Sequence, residues 1–295
     1  MITNPSITIV IGGDCTSEAS LNQCLDSIAQ QTNNLQVQVL IAATEPAQAK
    51  ETRSGWEVLK VPGSQEKLVP QLWGMAIQKA RAPVVAVTSA NCIPSNNWVS
   101  HIINSFNADP TLQAIGGPIQ PPQGSNLASW AVYFARYSAF LPPSSAASVD
   151  ELAGDNVAYR LDTLNRFWSD RQDGFWETLF HRSLRANNIA LLISDDIPVQ
   201  MGQVVNPGAF IRTRFQHGKH YGSTRSCYSA ISLISRVFTS PLLVPFLTAR
   251  SAIRILRKRI DLIPMFFISS LWFIIFQSAW SAGETTGYLS QLKKD

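Results

Sequence analysis

Four cysteines in 295 residues, with no Cys-x-x-Cys pair among them, offer neither a zinc knuckle nor a disulfide framework. Cys15, Cys24, Cys92 and Cys227 stand far apart, which suits a reducing compartment. Charge is also sparse, at 15% of residues against 45% hydrophobic, and this balance excludes a disordered chain. The net charge of +4 is concentrated in Arg212–Arg225 and Arg250–Arg259 rather than spread over a basic face, so nucleic acid is not an expected partner. The start, Met1-Ile2-Thr3-Asn4-Pro5, lacks a basic region, and the apolar run Ile7–Ile11 is too short for a signal peptide. A cytoplasmic globular part is the expectation. A Gly-x-Gly-x-x-Gly is missing too. Gly12-Gly13-Asp14-Cys15 follows the first apolar run instead, which discounts a dinucleotide-binding dehydrogenase.

What is present reads as one large α/β domain with an appendage. Ile7–Ile11, Val37–Ala43 and Trp56–Val61 are short β-branched or apolar runs and predict strands. Ser17–Gln30 predicts a helix with Leu21, Cys24, Leu25 and Ile28 at helical spacing, Ser17 as N-cap and Glu18 in the first turn. Lys67–Ala80 predicts a second helix, with Leu68, Leu72, Met75, Ala76 and Lys79 close to one face. The order predicts a doubly wound, mostly parallel sheet with flanking helices. Next comes Val84-Val85-Ala86-Val87-Thr88-Ser89-Ala90-Asn91-Cys92-Ile93-Pro94, a buried strand that stops in small polar residues before a helix starting near Ser95 to Trp98. Such a stop marks the carboxyl edge of the sheet, where ligands of open α/β folds bind.

That stretch resembles the end of the fourth strand in glycosyltransferase family 2. In that family an Asp-x-Asp motif holds a divalent metal and the diphosphate of a nucleotide sugar. The resemblance extends in order along the chain. Asn4–Ile28 and Val37–Thr44 are similar to the first strand, helix and second strand, and Lys67–Arg81 with Ala82-Pro83-Val84-Val85 to the approach to the motif strand. Ile115-Gly116-Gly117-Pro118 is similar to the strand and Gly pair that follow it, and Leu152–Arg160 to a Gly-x-Asn-x-x-x-Arg segment under the acceptor site. Asp173-Gly174-Phe175-Trp176-Glu177-Thr178 resembles the acidic opening of the acceptor-side helix. Arg214-Phe215-Gln216-His217-Gly218 and Gly283-Glu284-Thr285-Thr286-Gly287-Tyr288-Leu289 resemble motifs of membrane-associated members. The resemblance implies a GT-A fold, a nucleotide-sugar donor and a divalent metal, Mg²⁺ or Mn²⁺.

The chain departs from the family where the acids should stand. The motif triplet is Ser89-Ala90-Asn91, with Asn91 at the family's metal position. Neutral oxygens bind hard cations weakly, which puts the metal in doubt. The acid that ends the second strand is replaced by Ala42-Ala43-Thr44, leaving Glu45 close by. Asp14 stands either as a nucleoside contact or as a turn cap. Asp155, beside Asn156, and Asp195-Asp196, after a strand at Ile189–Ser194, are spare acids that compensate or simply serve their loops.

Transfer of a sugar to a hydroxyl needs a base, and Glu177 fits that role. It falls in the first turn of a helix over Phe175–Ala186, with Phe175, Leu179, Phe180 and Leu184 expected in the core. The helix N-terminus favours its ionised form, which serves a base and a local helix cap equally. The donor set implied by the resemblance is Asp14, Glu45, Ser89, Asn91, Asn156, Arg212 and Arg214. The cluster Arg212, Arg214, His217, Lys219, His220 and Arg225 reads as diphosphate-binding cations or as a basic segment drawn to anionic lipid. His217 and His220 lack a third metal ligand in the sequence nearby.

Leu262–Ala282 is an uncharged run close to the length that spans a bilayer, bracketed by Trp272 and Trp280 and preceded by Arg250, Arg254, Arg257, Lys258 and Arg259. Its basic flank is expected to be cytoplasmic. Ala230–Ala249, interrupted by Arg236, Pro241 and Pro245, reads as interfacial or re-entrant. Ser129–Phe140 carries Trp130, Tyr133, Phe134 and Tyr137 as a lipid-facing or a packing stripe. The expected organisation is a transferase domain over residues 1–201, a basic connector over 202–229 and a membrane-associated helical region over 230–295. The expected activity is inverting transfer to a glycan or lipid-linked acceptor in envelope or extracellular glycan synthesis. A noncatalytic, membrane-bound descendant of the same fold is the rival class.

Overall fold

The computed structural model describes residues 4–13, 18–33, 35–43, 56–60, 67–124, 126–143, 147–169, 171–202, 206–224 and 230–292. The chain divides into two compact units, Met1–Pro121 with Phe140–Gly202, and Pro122–Ala139 with Gln203–Asp295.

The first unit is built on apolar strands covered on both faces, as parallel sheets require. β1 (Ile7–Gly13) leads through α1 (Glu18–Thr32) to β2 (Val37–Ala43) and β3 (Trp56–Lys60). α2 (Val69–Ile77) then leads to β4 (Val84–Ser89). β1 pairs in parallel with β2 and β4, and β2 with β3. β5 (Cys92–Pro94), α3 (Trp98–Ala108), β6 (Ala114–Gly116) and β7 (Ile119–Gln120) follow, and then α4 (Leu127–Tyr137), which belongs to the other unit. β8 (Ala147–Val149), β9 (Asn156–Arg160), α5 (Leu161–Phe167), α6 (Glu177–Ala186), β10 (Leu191–Ile193) and β11 (Val199–Met201) complete the first unit. Its main sheet runs in the order β3-β2-β1-β4-β9-β6-β10-β8, with a small second sheet β5-β11-β7. β9 is antiparallel to β4 and β6, and β8 to β10, so the sheet is mostly parallel with two reversed strands.

Two helices differ from the sequence expectation. α2 is shorter than Lys67–Ala80, because Pro70 suits only the first turn and the Gln71 side chain accepts from Leu68 N at 3.0 Å, fixing the start. Its buried face is Pro70, Leu72, Trp73, Ala76 and Ile77, while Lys79 is exposed. α6 begins at Glu177 because Trp176 is extended, with its carbonyl accepting the first helical bond from Phe180 N at 3.0 Å. Phe180, His181 and Leu184 set its inward face. Leu179, one step round the helix, is 57% exposed rather than in the core.

The second unit joins α4 to α7 (Pro207–Ser223), α8 (Ala230–Thr239), α9 (Leu243–Lys258), α10 (Ile263–Ile268) and α11 (Ser270–Leu292). α7 and α11 touch backbone to backbone. A Cβ on Gly218 would stand 2.2 Å from Trp280 O, and one on Gly287 2.4 Å from Lys219 O. Small residues let two helices approach this closely. The aromatic stripe on α4 is used for packing: Tyr133, Phe134 and Tyr137 are buried, and Phe134 meets Phe266 edge to face at 5.3 Å.

The apolar run Leu262–Ala282 is not one straight helix. α10 and α11 are bent by 75° at Ser269, whose Oγ bonds back to Met265 O at 2.8 Å, a device that bends helices. Ser232–Lys258, by contrast, is long and apolar enough to cross a membrane. Its prolines fall where no N–H is demanded, Pro241 in a 3₁₀ turn at Ser240–Leu242 and Pro245 in the first turn of α9. Among the described residues one helix, or two if the bent pair counts as a span, meets that requirement.

Candidate active site

The carboxyl edge of the first unit is assembled around Trp73. The strands β1 and β4 end together, with Gly12 in register with Ser89 and Ala90 N donating to Gly12 O at 3.1 Å. Trp73 donates from Nε1 to Thr88 O at 2.8 Å, and its ring closes on Gly12, where a Cβ would lie 2.6 Å from Cδ1. The far rim of the same ring rests on Gly154, where a Cβ would lie 2.9 Å from Cζ3 and 3.0 Å from the carboxyl carbon of Glu177. Glu177 therefore reaches the sheet edge through the space that Gly154 leaves.

The loop that carries Glu177 is pinned at several points. Gly174 adopts φ +118°, which an L side chain rarely does, and a Cβ there would strike Gln71 Cα at 2.8 Å. Trp168 Nε1 donates to Gly174 O at 3.1 Å, and Phe175 N donates to Pro70 O. α2 thus positions both Trp73 and the segment leading into α6.

Behind Glu177 lie two groups that the sequence reading passed over. Tyr159 and His181 are wholly buried, with Tyr159 Oη 2.6 Å from His181 Nε2. Leu152 N donates to His181 Nδ1 at 3.4 Å, which assigns the imidazole proton to Nε2 and makes Tyr159 Oη its acceptor. Burial, with the Glu177 charge adding to it, holds the Tyr159 phenol well above its usual range. Burial, with Arg185 adding to it, pushes His181 down to about 3. Both groups are neutral at physiological pH. The signal in the sequence was spacing, because His181 follows Glu177 by one helical turn.

The remaining sequence assignments are placed unevenly. Ser89 is buried, and its Oγ makes no hydrogen bond among the described residues. Asn91 is part-buried in the turn after β4, where its main-chain oxygen accepts from Gly202 N at 2.7 Å. Asn156 is fully buried and its side chain is committed to the protein. Its Oδ1 accepts from Trp98 Nε1 at 2.8 Å, and its Nδ2 donates to Ile197 O at 2.8 Å and Pro118 O at 3.2 Å. The last pair between β4 and β9 is Thr88 with Asn156, so Ser89 and Asp155 come next on the two strands. Asp155, 3% exposed, is the acid that the register brings to the neutral triplet. Asp195 and Asp196 are exposed in the turn after β10. Asp14, Glu45, the N-cap Ser17 and Arg225 lie outside the described residues. Arg212 and Arg214 are on α7, in the helical unit.

Among the described residues no three His, Cys, Asp or Glu side chains group as metal ligands, His217 and His220 included. Among the described residues the triplet region offers one carboxylate, Asp155, with a hydroxyl and an amide, less negative charge than a carboxylate-built Mg²⁺ or Mn²⁺ site uses.

No family model and no curated protein matches the chain. Solved structures match its fold. The mannosyltransferase PcManGT from Pyrobaculum calidifontis, in complex with GDP-Man and Mn²⁺, aligns with a TM-score of 0.50 and 12% identity over 97% of this chain and 87% of its own. GalNAc-T7, solved with UDP, GalNAc and Mn²⁺, aligns with a TM-score of 0.52 and 12% identity over 76% of this chain and 52% of its own, so this chain spans about half its length. The first unit has the GT-A fold that these glycosyltransferases share.

Proposed function

We propose that the chain is a membrane-associated, family-2-like glycosyltransferase that moves a sugar from a nucleotide-sugar donor to a hydroxyl of a glycan or lipid-linked acceptor, with inversion, in envelope or extracellular glycan synthesis. The observation that carries this reading is the Glu177 carboxyl group held beside Trp73 and Gly154 at the carboxyl edge of a GT-A sheet. In that reading residues 1–201 are the transferase, on the cytoplasmic face, 202–229 the basic connector and 230–295 the membrane-associated part. Ser89 and Asn91 face the donor with Asp155 beside them, and Asp14 and Glu45 serve the nucleotide. Glu177 takes the proton of the acceptor hydroxyl. The oxygen bonds to the anomeric carbon as the bond to the diphosphate breaks and its electron pair leaves with the phosphate.

Turnover or hydrolysis measured over a panel of nucleotide sugars tests the proposal. Glu177→Gln is expected to lower the rate by about 10²–10⁴-fold, the usual contribution of a positioned base. No turnover with any donor, together with an unchanged cellular phenotype for Glu177→Gln, would sink it. The neutral triplet favours a second reading, a noncatalytic binding or assembly partner at the membrane. Calorimetry with UDP and GDP, with and without Mn²⁺, separates the two: the enzyme binds a nucleotide, and the scaffold binds none.

A further inference from the structure

Among the described residues, the charge of Arg214, in the helical unit, has no carboxylate partner. Its Nη2 donates to Gln277 Oε1 at 3.0 Å, and its guanidinium carbon lies 4.3 Å from the centre of the Trp280 ring. Its Nε is buried and makes no hydrogen bond among the described residues. Both partners are neutral, and among the described residues no carboxylate pairs with it. Glu284, the acid of the facing α11 stretch, is turned elsewhere, accepting from Tyr288 Oη at 2.5 Å and Trp280 Nε1 at 3.2 Å.

A second cation, Arg136, acts on the same place, and the imidazole of His217 there stays neutral. Burial, followed by the charge of Arg136 on α4, pushes Arg214 down to about 9. Burial, followed by Arg214 and Arg136, pushes His217 down to about 3. The His217 ring stands edge-on to Trp280, 6.5 Å between centres. The glycine contact of α7 with α11 holds Arg214 and Trp280 in place, since neither helix can shift without opening a backbone-to-backbone contact.

A fixed, buried guanidinium without a carboxylate is costly in the protein alone, and an anion that completes it removes the cost. Guanidinium groups match phosphate oxygens in a two-pronged fashion, and a second guanidinium suits a group of more than one charge. We propose that Arg214, with Arg136 and His217 beside it, forms a receptor for a phosphate group, carried by a lipid headgroup or by a soluble phosphate.

The test uses the full chain in phosphatidylcholine nanodiscs, read by melting temperature and tryptophan fluorescence. One arm adds phosphatidic acid to the bilayer, and the other adds inorganic phosphate to the buffer against chloride at equal ionic strength. A saturable rise in melting temperature is expected, and the arm that produces it identifies the source. Arg214→Gln should weaken that binding by about tenfold or more, the loss of a charge-assisted bond, with Arg214→Lys intermediate. If Arg214→Gln does not fold, Arg136→Gln is read in its place and should weaken binding several-fold. Equal binding by the variant that folds, or no saturable response in either arm, overturns the proposal. No nucleotide sugar enters the assay, so its outcome is independent of the transferase reading.

Discussion

The carboxyl group of Glu177 occupies room that only the missing side chain of Gly154 provides. A Cβ on Gly154 would lie 3.0 Å from the Glu177 carboxyl carbon, with the Trp73 ring 2.9 Å away on the other side. Gly154→Ala should therefore displace Glu177, because the indole is tied to Thr88 O by its Nε1 and has little freedom to yield. The expected outcome is a fall in turnover of at least tenfold, with a stability loss of about 1–3 kcal/mol from overpacking. Donor affinity by calorimetry should change less than turnover. A variant with unchanged turnover would remove Glu177 from the chemistry.

Asn156 separates a structural from a ligand role. Its side chain satisfies Trp98 Nε1 and the carbonyls of Pro118 and Ile197; Asn156→Ala takes the Asn156 bond from Trp98 Nε1 and Ile197 O, while Pro118 O keeps Val199 N at 3.1 Å. The chain should lose about 2–4 kcal/mol in denaturant titrations, a fraction of the summed penalty for such groups. Lost donor binding at unchanged stability would instead make Asn156 a direct ligand.

Acid should destabilise the chain through its buried imidazoles. His181 titrates near 6.5 when unfolded but only at about 3 when folded, where burial opposes its charge. Between those values the unfolded chain binds a proton that the folded chain refuses. Stability from neutral His181 is thus intact above pH 6.5 and declines as pH falls through that window. The slope reaches about 1.4 kcal/mol per pH unit for each such group. His217, also lowered to about 3, contributes in the same direction. His181→Gln should flatten the acid side of a melting-temperature profile without abolishing the slope. An unchanged profile would mean that His181 is charged in the folded state.

The glycine contact between α7 and α11 is testable by adding one carbon. A Cβ on Gly222 would stand 2.4 Å from Glu284 O, so Gly222→Ala forces the helices apart. A loss of about 1–3 kcal/mol is expected, seen as a lower melting temperature. Gly208, near the start of α7, is the control: a Cβ there would meet only the side-chain Oδ1 of Asn206, at 3.3 Å, so Gly208→Ala should cost much less than Gly222→Ala.

The order of strands and helices, the α/β class and the neutral character of Ser89-Ala90-Asn91 were all legible in the chain itself. Such features depend on residues a few positions apart, as Ile7–Ile11 and the spacing of Leu21, Cys24, Leu25 and Ile28 do. The place of Glu177 at a helix start was legible on the same footing, while its role as a base rests on the resemblance and is a proposal. Its surroundings were not legible. Trp73, Gly154 and Glu177 meet because α2 crosses the sheet and β9 runs antiparallel beside β4, and no local pattern encodes a meeting across so much chain. Asp155 comes beside Ser89 by the same register. The break at Ser269 was hidden inside a uniformly apolar run, since hydropathy counts side chains and the bend lies in the backbone. Tertiary structure alone decided that Arg214 would stand against Trp280 and Gln277 with no carboxylate among the described residues, because a counter-charge is a matter of distance in space.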